Sequence, residues 1–318
     1  MEKAPLFFEP IFKERIWGGC KLEAFGYRLP FEHTGECWAI SAHVNGVSNI
    51  RTGPFKGRTL IDLWRNERHL FGHPKEQEFP LLVKILDAQE DLSVQVHPDD
   101  EQAQQLEKDE AYGKSECWYV IEAEEGAELI LGHTAQTKEA FVECVKKSQW
   151  DRLLRKVPIR QGDFFYVPSG TIHAIGKGAV ILEIQQSSDT TYRMYDFDRI
   201  DKNGEKRELH LDQALTVSLI PHHSPDQEEK TIEQHSAGKL RRLVTTSYFT
   251  VYHSAINGMF TYRIDADYLL ASVIKGEGYY DADDGVVAPV KKGDHFLIPH
   301  AVESFRMKGE MELILSHP

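Results

Sequence analysis

Cysteine is scarce: the 318 residues hold four, Cys20, Cys37, Cys117 and Cys144, and no two are spaced as CxxC. That argues against a disulfide framework and predicts reduced thiols in a cytoplasmic protein. Long apolar runs are missing as well, none approaching the roughly 20 residues a membrane helix needs. The opening Met1-Glu2-Lys3-Ala4-Pro5 has no basic segment leading into an apolar one, so no signal peptide is expected. A cationic surplus is the third absence. The formal charge of −13 argues against nucleic acid or an anionic membrane as partner, since both reward a basic surface. A small anionic substrate stays open, because it needs only a local group of lysines and arginines.

What is present is ordinary soluble composition, 41% hydrophobic and 27% charged, on a chain long enough for two domains. The pattern is mainly β. Pro80 to Leu86 is a nearly continuous apolar strand, and Leu92 to His97 alternates, with Ser93, Gln95 and His97 on one face. Asp99 to Asp109 is polar and reads as a short helix or loop. Glu116–Ile121 and Ala127–Leu131 return to strand character, and Thr137, a plausible N-cap, opens a helix reaching to about Arg155 before Pro158. Phe164–Val167 and Ala179–Gln185 are strands, and Leu211–Ile220 is a short helix stopped by Pro221. The polar stretch Pro221–Lys239 reads as a linker, and Leu240–Pro318 is again mostly β.

A faint repeat links the two halves. Gly293-Asp294-His295-Phe296-Leu297-Ile298-Pro299 matches Gly162-Asp163-Phe164-Phe165-Tyr166-Val167-Pro168 position by position, and continuing the alignment sets Ser304 opposite His173. The second copy keeps the turn-strand-turn residues and loses the histidine. One unit equipped for chemistry and one structural unit is the economical reading.

The chemistry concentrates in the first unit. His97 and His173 are candidate metal ligands on rigid strands, with Glu116 third and Gln95, two residues from His97 and on its side, fourth. Imidazole plus carboxylate suits Zn²⁺, Fe²⁺ or Mn²⁺, with an amide oxygen as a weak extra ligand. A single histidine after a strand is more often a hydrogen-bonded core or surface residue. Two histidines and a carboxylate in matching contexts, one inside the Gly-Asp…Pro…Gly…His frame, favour the metal. Arg193, between Tyr192 and Tyr195, could hold an oxyanion by forked hydrogen bonds, the bland alternative being an ion pair with Asp196 or Asp198. Lys114 lies two residues before Glu116, where a lysine beside a metal suits proton transfer. Its bland alternative is a solvated loop lysine. Glu183 is a second carboxylate near the site, its side open by one residue of register.

Together these stretches resemble the type I mannose-6-phosphate isomerases (phosphomannose isomerases), in their short bacterial branch. The similarity is carried by Phe12–Gly19, Thr34–Trp38, Leu92–Pro98, Gly113–Tyr119, Phe164–Gly178 and Thr191–Asp196. The resemblance implies a double-stranded β-helix (cupin) jelly-roll over residues 1–225, with a small helical insertion at about 99–156. A second, degenerate cupin-like domain without metal ligands would occupy 240–318. It implies a cytoplasmic enzyme of carbohydrate metabolism with one Zn²⁺ per chain, interconverting mannose 6-phosphate and fructose 6-phosphate through a cis-enediol. The family's metal positions fall on Gln95, His97, Glu116 and His173, its active-site arginine on Arg193 and a proposed acid/base on Lys114. Lys114 or Glu183 would shuttle the proton, Lys114 being preferred, and Arg193 would stabilise the enediolate or hold the phosphate. Lys114-Ser115-Glu116 departs from the Lys-Pro-Glu of longer members, which also carry a large helical insertion. Phosphate recognition in those members therefore does not transfer directly. A monomer is the default expectation. The rival readings are a cupin dioxygenase using Fe²⁺ or Mn²⁺, which would not need Arg193 and Lys114, and a metal-independent sugar sensor.

Overall fold

In the computed structural model, which describes residues 3–108, 110–200, 204–225, 229–263, 265–282 and 285–318, the apolar and alternating segments become strands. Three large sheets form among the described residues. The six-stranded sheet runs Phe164–Val167, Glu116–Ala123, Ala179–Gln186, Leu81–Ala88, Thr34–Ile40, Ile11–Gly19, and all its pairings are antiparallel. The five-stranded sheet runs Leu154–Pro158, Glu128–His133, His173–Ile175, Val94–Val96, Tyr192–Tyr195. From residue 81 to 195 the chain passes back and forth between these two sheets, the winding of a cupin jelly-roll.

Why Leu81–Ala88 and Ala179–Gln186 are buried along their whole length follows from what covers each face. On Ala179–Gln186, Val180, Leu182 and Ile184 point outward into a core shared with Val251, Leu270 and Ile314 of the C-terminal half. The alternate residues Ala179 and Ile181 point inward, against Leu129 and Ile175 of the five-stranded sheet. A sheet covered on both faces needs continuous rather than alternating hydrophobicity. The same period of two directs Glu183 and Gln185 inward, and on the neighbouring strand it directs Glu116 and Trp118 inward while Cys117, Tyr119 and Ile121 go out.

The C-terminal half supplies seven strands of a nine-stranded sheet, whose long strands Thr250–Tyr262, Leu269–Ala282 and Phe305–His317 pair antiparallel. Two short strands of the N-terminal segment complete it: Leu6–Glu9 pairs with His295–Ile298, and Asn49–Ile50 pairs with Leu6–Glu9. The repeat is visible in the backbone. Gly162 and Gly293 both adopt φ 89°, and Asp163 and Asp294 each accept a 2.9 Å bond from the amide three residues earlier, Arg160 and Lys291.

Between residues 99 and 156 the helices Asp100–Leu106, Lys138–Lys146 and Trp150–Leu153 alternate with the strands Glu116–Ala123 and Glu128–His133, the strands falling close to where the sequence pattern sets them. Three sequence expectations need correction. The helix expected from Thr137 is capped there, Thr137 Oγ1 accepting from Ala140 N at 3.2 Å. It ends at Lys146 because Ser148 turns at φ 51° and Leu154 joins the sheet beside Glu128–His133. The expected helix Leu211–Ile220 stops at Val217. The polar linker contains an edge strand, Lys230–His235, exposed along its length and held by backbone pairing with Gly238–Thr245; an edge strand without a buried face leaves no hydrophobic alternation to read.

Candidate metal centre

Four strands bring the candidate residues together. On the five-stranded sheet Gln95 stands opposite His173 on one side and opposite Arg193 on the other, so all three share one face. His97 follows directly after Val94–Val96, and Glu116 opens its strand on the facing sheet. His97, Glu116 and His173 are at most 1% exposed, and their ligand atoms lie within 4.8 Å of one another. His173 Nε2 is 3.3 Å from Glu116 Oε1, and His97 Nε2 is 3.6 Å from Glu116 Oε2.

The outer atoms fix the orientation. His97 Nδ1 lies 2.8 Å from the Thr190 carbonyl and His173 Nδ1 lies 2.8 Å from the Thr171 carbonyl. A carbonyl only accepts, so each Nδ1 carries the proton and each Nε2 lone pair is turned inward, as second-shell carbonyls orient metal-binding imidazoles. Burial, with Lys114 adding to it, holds His97 well below the usual histidine range and His173 down to about 4, so both rings are neutral, as ligation requires. Glu116 Oε1 is buried without a hydrogen-bond partner, a costly state that a cation would relieve. Gln95 Nε2 lies 3.4 Å from His173 Nε2, and turning the amide presents its oxygen to the same point. Two neutral imidazoles, a carboxylate and an amide oxygen fit a divalent metal.

Lys114 is not a solvated loop residue. It is 4% exposed, and its Nζ sits 2.5 Å from Glu116 Oε2 and 3.0 Å from His97 Nε2. Its backbone is held by Lys114 N donating to Pro98 O at 2.9 Å. Glu183, 4% exposed, accepts from Trp118 Nε1 at 3.0 Å and faces Lys84 Nζ at 3.4 Å. Burial raises its proton affinity, but Lys114, Lys84 and the Trp118 bond outweigh burial and hold it below the usual carboxylate range.

Arg193 does not pair with either aspartate proposed for it. Asp196 is taken by Arg199 and Arg207, and Asp198 by Lys206. The Arg193 guanidinium is instead pinned by Nε to Ser93 Oγ at 3.3 Å and by one terminal nitrogen to Glu208 O at 2.9 Å. A cleft of about 380 Å³ runs between the sheets and is lined by Gln95, Lys114, Glu183 and Arg193. It is also lined by residues the sequence reading passed over: Arg15, Glu36, Lys84, Asp189 and Arg207. A signal existed for two of them. Lys84 interrupts an apolar run, and Glu36 lies between Gly35 and the buried Cys37-Trp38.

Comparison with known proteins agrees over the whole chain. Residues 6–128 match the family model of the phosphomannose isomerase type I catalytic domain, and residues 239–318 match that of the mannose-6-phosphate isomerase cupin domain. The mannose-6-phosphate isomerase ManA of Bacillus subtilis is 49% identical over 317 residues, covering 100% of each chain. The mannose-6-phosphate isomerase of Streptococcus mutans is 48% identical over 314 residues, covering 98% of each. The crystal structure of the mannose 6-phosphate isomerase from Bacillus subtilis superposes with a TM-score of 0.96 at 48% identity, covering 99% of this chain and 100% of that one.

Proposed function

The chain belongs to the type I phosphomannose isomerases and is an enzyme of that family, and from this premise we propose that it interconverts mannose 6-phosphate and fructose 6-phosphate through a cis-enediol. We further propose one zinc ion per chain, held by His97, Glu116 and His173 with the Gln95 amide oxygen. Bound there, zinc would supply Lewis-acid polarisation of the sugar oxygens.

The remaining work falls to side chains. Aldose-to-ketose conversion removes the C2 proton, protonates O1, returns a proton to C1 and removes the O2 proton. Glu183 is the base for the carbon-bound proton, taking it from C2 and returning it to C1. Its support is an ionised carboxylate that lines the cleft and is fixed by Trp118. This reverses the preference for Lys114 drawn from the sequence. Lys114, as an ammonium buried against Glu116, gives a proton to O1 and takes one from O2. Arg193, anchored at two nitrogens beside Gln95, stabilises negative charge developing on the enediol oxygens.

The observation that carries the reading is the convergence of the His97, Glu116 and His173 ligand atoms at the edge of a cleft lined by Lys114, Glu183 and Arg193. The remaining proposals are a soluble cytoplasmic monomer and a substrate no larger than a phosphorylated sugar. Among the described residues no helix is long and apolar enough to cross a membrane. A coupled assay for fructose 6-phosphate formed from mannose 6-phosphate tests the function. Activity is expected to vanish on chelation and return with zinc. A zinc-loaded protein without activity overturns the proposal, and activity that survives complete chelation overturns the metal's part in it.

A further inference from the structure

We propose that Gln186 is a positioning residue for Lys114: it fixes the backbone that carries Lys114, and so sets where the ammonium stands relative to the Glu183 carboxylate. The assignment rests on the isomerase reading and adds to it a residue that does not line the cleft.

Glu116 is the first residue of its strand, and Lys114 and Ser115 precede it, beyond the strand's pairing register. Backbone outside a ladder has to find its hydrogen bonds elsewhere. Gln186, the last residue of Ala179–Gln186, supplies them at Ser115. Its N–H donates to Ser115 O at 3.1 Å, and its side-chain Oε1 accepts from Ser115 N at 2.9 Å. Its Nε2 donates at 2.8 Å to Asp100 Oδ1, which also accepts from Gly113 N at 2.7 Å. The residues on both sides of Lys114 are thus tied to one amide–carboxylate bridge. The amide stands only one way round, because a backbone N–H only donates and a carboxylate oxygen accepts.

The bridge grips from the far side of the sheet. The period of two that sends Glu183 and Gln185 inward sends Ile184 outward into the core shared with the C-terminal half, and Gln186 follows Ile184. Gln186 is 3% exposed and continues the apolar row of Val180, Leu182 and Ile184. A leucine would fill that place with no polar atom to satisfy, so what the amide adds is the hold on Ser115 and Asp100. Glu183 and Gln186 stand three residues apart on one strand. The bridge therefore joins the strand that carries the carbon base to the segment that carries the group moving the oxygen-bound protons. The tip of Lys114 is held by Glu116 Oε2 and His97 Nε2, atoms that a bound metal would also engage. The backbone end is free of that competition. A lysine stem is long and flexible, and a misplacement of about 1 Å at a reacting group can cost on the order of 100-fold in rate.

The test is Gln186→Leu, zinc-loaded and turning over mannose 6-phosphate in deuterium oxide. The expected result is a kcat roughly 10- to 100-fold lower, a KM within about threefold of wild type and unchanged zinc content by elemental analysis. The isotope pattern separates positioning from general damage. Glu183 carries the proton from C2 to C1 while Lys114 moves the protons on oxygen. Slowing the oxygen step alone leaves the enediol longer beside protonated Glu183, which exchanges with solvent. More deuterium should then enter C1 of fructose 6-phosphate per turnover than in wild type. A lower kcat with the wild-type deuterium ratio means fewer working molecules and overturns the positioning role. An unchanged kcat overturns it too, as does a change confined to KM. Should Gln186→Leu fold poorly, Asp100→Ala releases the far end of the bridge while helix Asp100–Leu106 keeps its Asp99 cap. The same rise in deuterium per turnover is expected there, with a smaller loss of kcat, and its absence overturns the proposal. Wild-type protein without isomerase activity would overturn the isomerase reading and this inference together, whereas an active wild type with an unaltered variant overturns the inference alone.

Discussion

Gln95 and Arg193 are direct cross-strand partners, and Gln95 is at the same time the partner of His173. A single row of three side chains therefore runs from the candidate metal cluster to the guanidinium. Arg193 makes no contact with His97, Glu116 or His173 that could hold the metal, and its anchors are Ser93 and Glu208. Arg193→Ala is accordingly expected to keep its zinc, measured by elemental analysis, and to lose about 10²- to 10³-fold in kcat/KM, the usual cost of removing one oxyanion-stabilising donor. Near-normal kcat/KM would remove Arg193 from the reaction.

Glu183→Gln keeps the shape and an acceptor for Trp118 Nε1 but no longer offers an ionised base. The expected result is a fall in kcat of about 10²- to 10⁴-fold with a small change in KM. Zinc content should be unchanged. Solvent deuterium should also cease to enter the sugar at C1 and C2. A variant within a few-fold of wild type would return the role of base to Lys114, which lines the same cleft.

The sequence made the ligand set legible because each ligand sits in a local frame. Gln95 and His97 alternate along one strand, and His173 follows a Gly-Asp turn, a short strand and a Pro-Gly turn, each of which has its own residue signature. Lys84 was not legible, because a lysine in an apolar run also fits a side chain that buries its stem and sends its charge to water. Only the cross-strand register with Glu183 and Trp38 shows that it stays inside. Long-range pairing was equally invisible. Nothing in Leu6–Glu9 announces a partner at His295–Ile298, since strand propensity describes a half-buried surface and not which strand will cover it. The bland alternative for Arg193, an ion pair with Asp196 or Asp198, stood open in the sequence for a similar reason: Asp196 is claimed by Arg207, eleven residues on, across a turn the local pattern does not describe.

Acid stability should carry the mark of Glu312. His253 Nε2 at 3.2 Å and Lys275 Nζ at 3.0 Å hold its carboxyl down at about 2, against an ordinary value of 4.5, despite an opposing contribution from burial. A depressed folded-state value means that the unfolded chain binds the proton more readily, so the stabilisation is fully present above about pH 4.5. It is then lost progressively as pH falls from there towards 2. Urea midpoints measured across that range should show Glu312→Gln clearly less stable than wild type near neutrality, with the two curves converging below pH 3. A constant offset between them at every pH would mean that Glu312 acts through packing and not through its charge.

The two copies of the Gly-Asp turn offer a paired test of what a glycine contributes. Gly162 and Gly293 share φ 89°, a region that L-residues with a Cβ enter only at a cost of roughly 1–2 kcal/mol. Their surroundings differ. A Cβ on Gly162 would meet nothing within 4 Å, whereas one on Gly293 would lie 2.3 Å from the Phe25 carbonyl oxygen. Gly162→Ala should therefore cost the conformational term alone. Gly293→Ala should cost that term and also force the turn away from Phe25, and with it the Tyr27 hydroxyl that donates to Gly293 O at 2.9 Å. The melting temperature is expected to fall by a few degrees for the first variant and by at least twice as much for the second. Equal losses would show that the backbone around Phe25 yields easily, and that the C-terminal copy of the turn is held no more tightly than the copy that leads to His173.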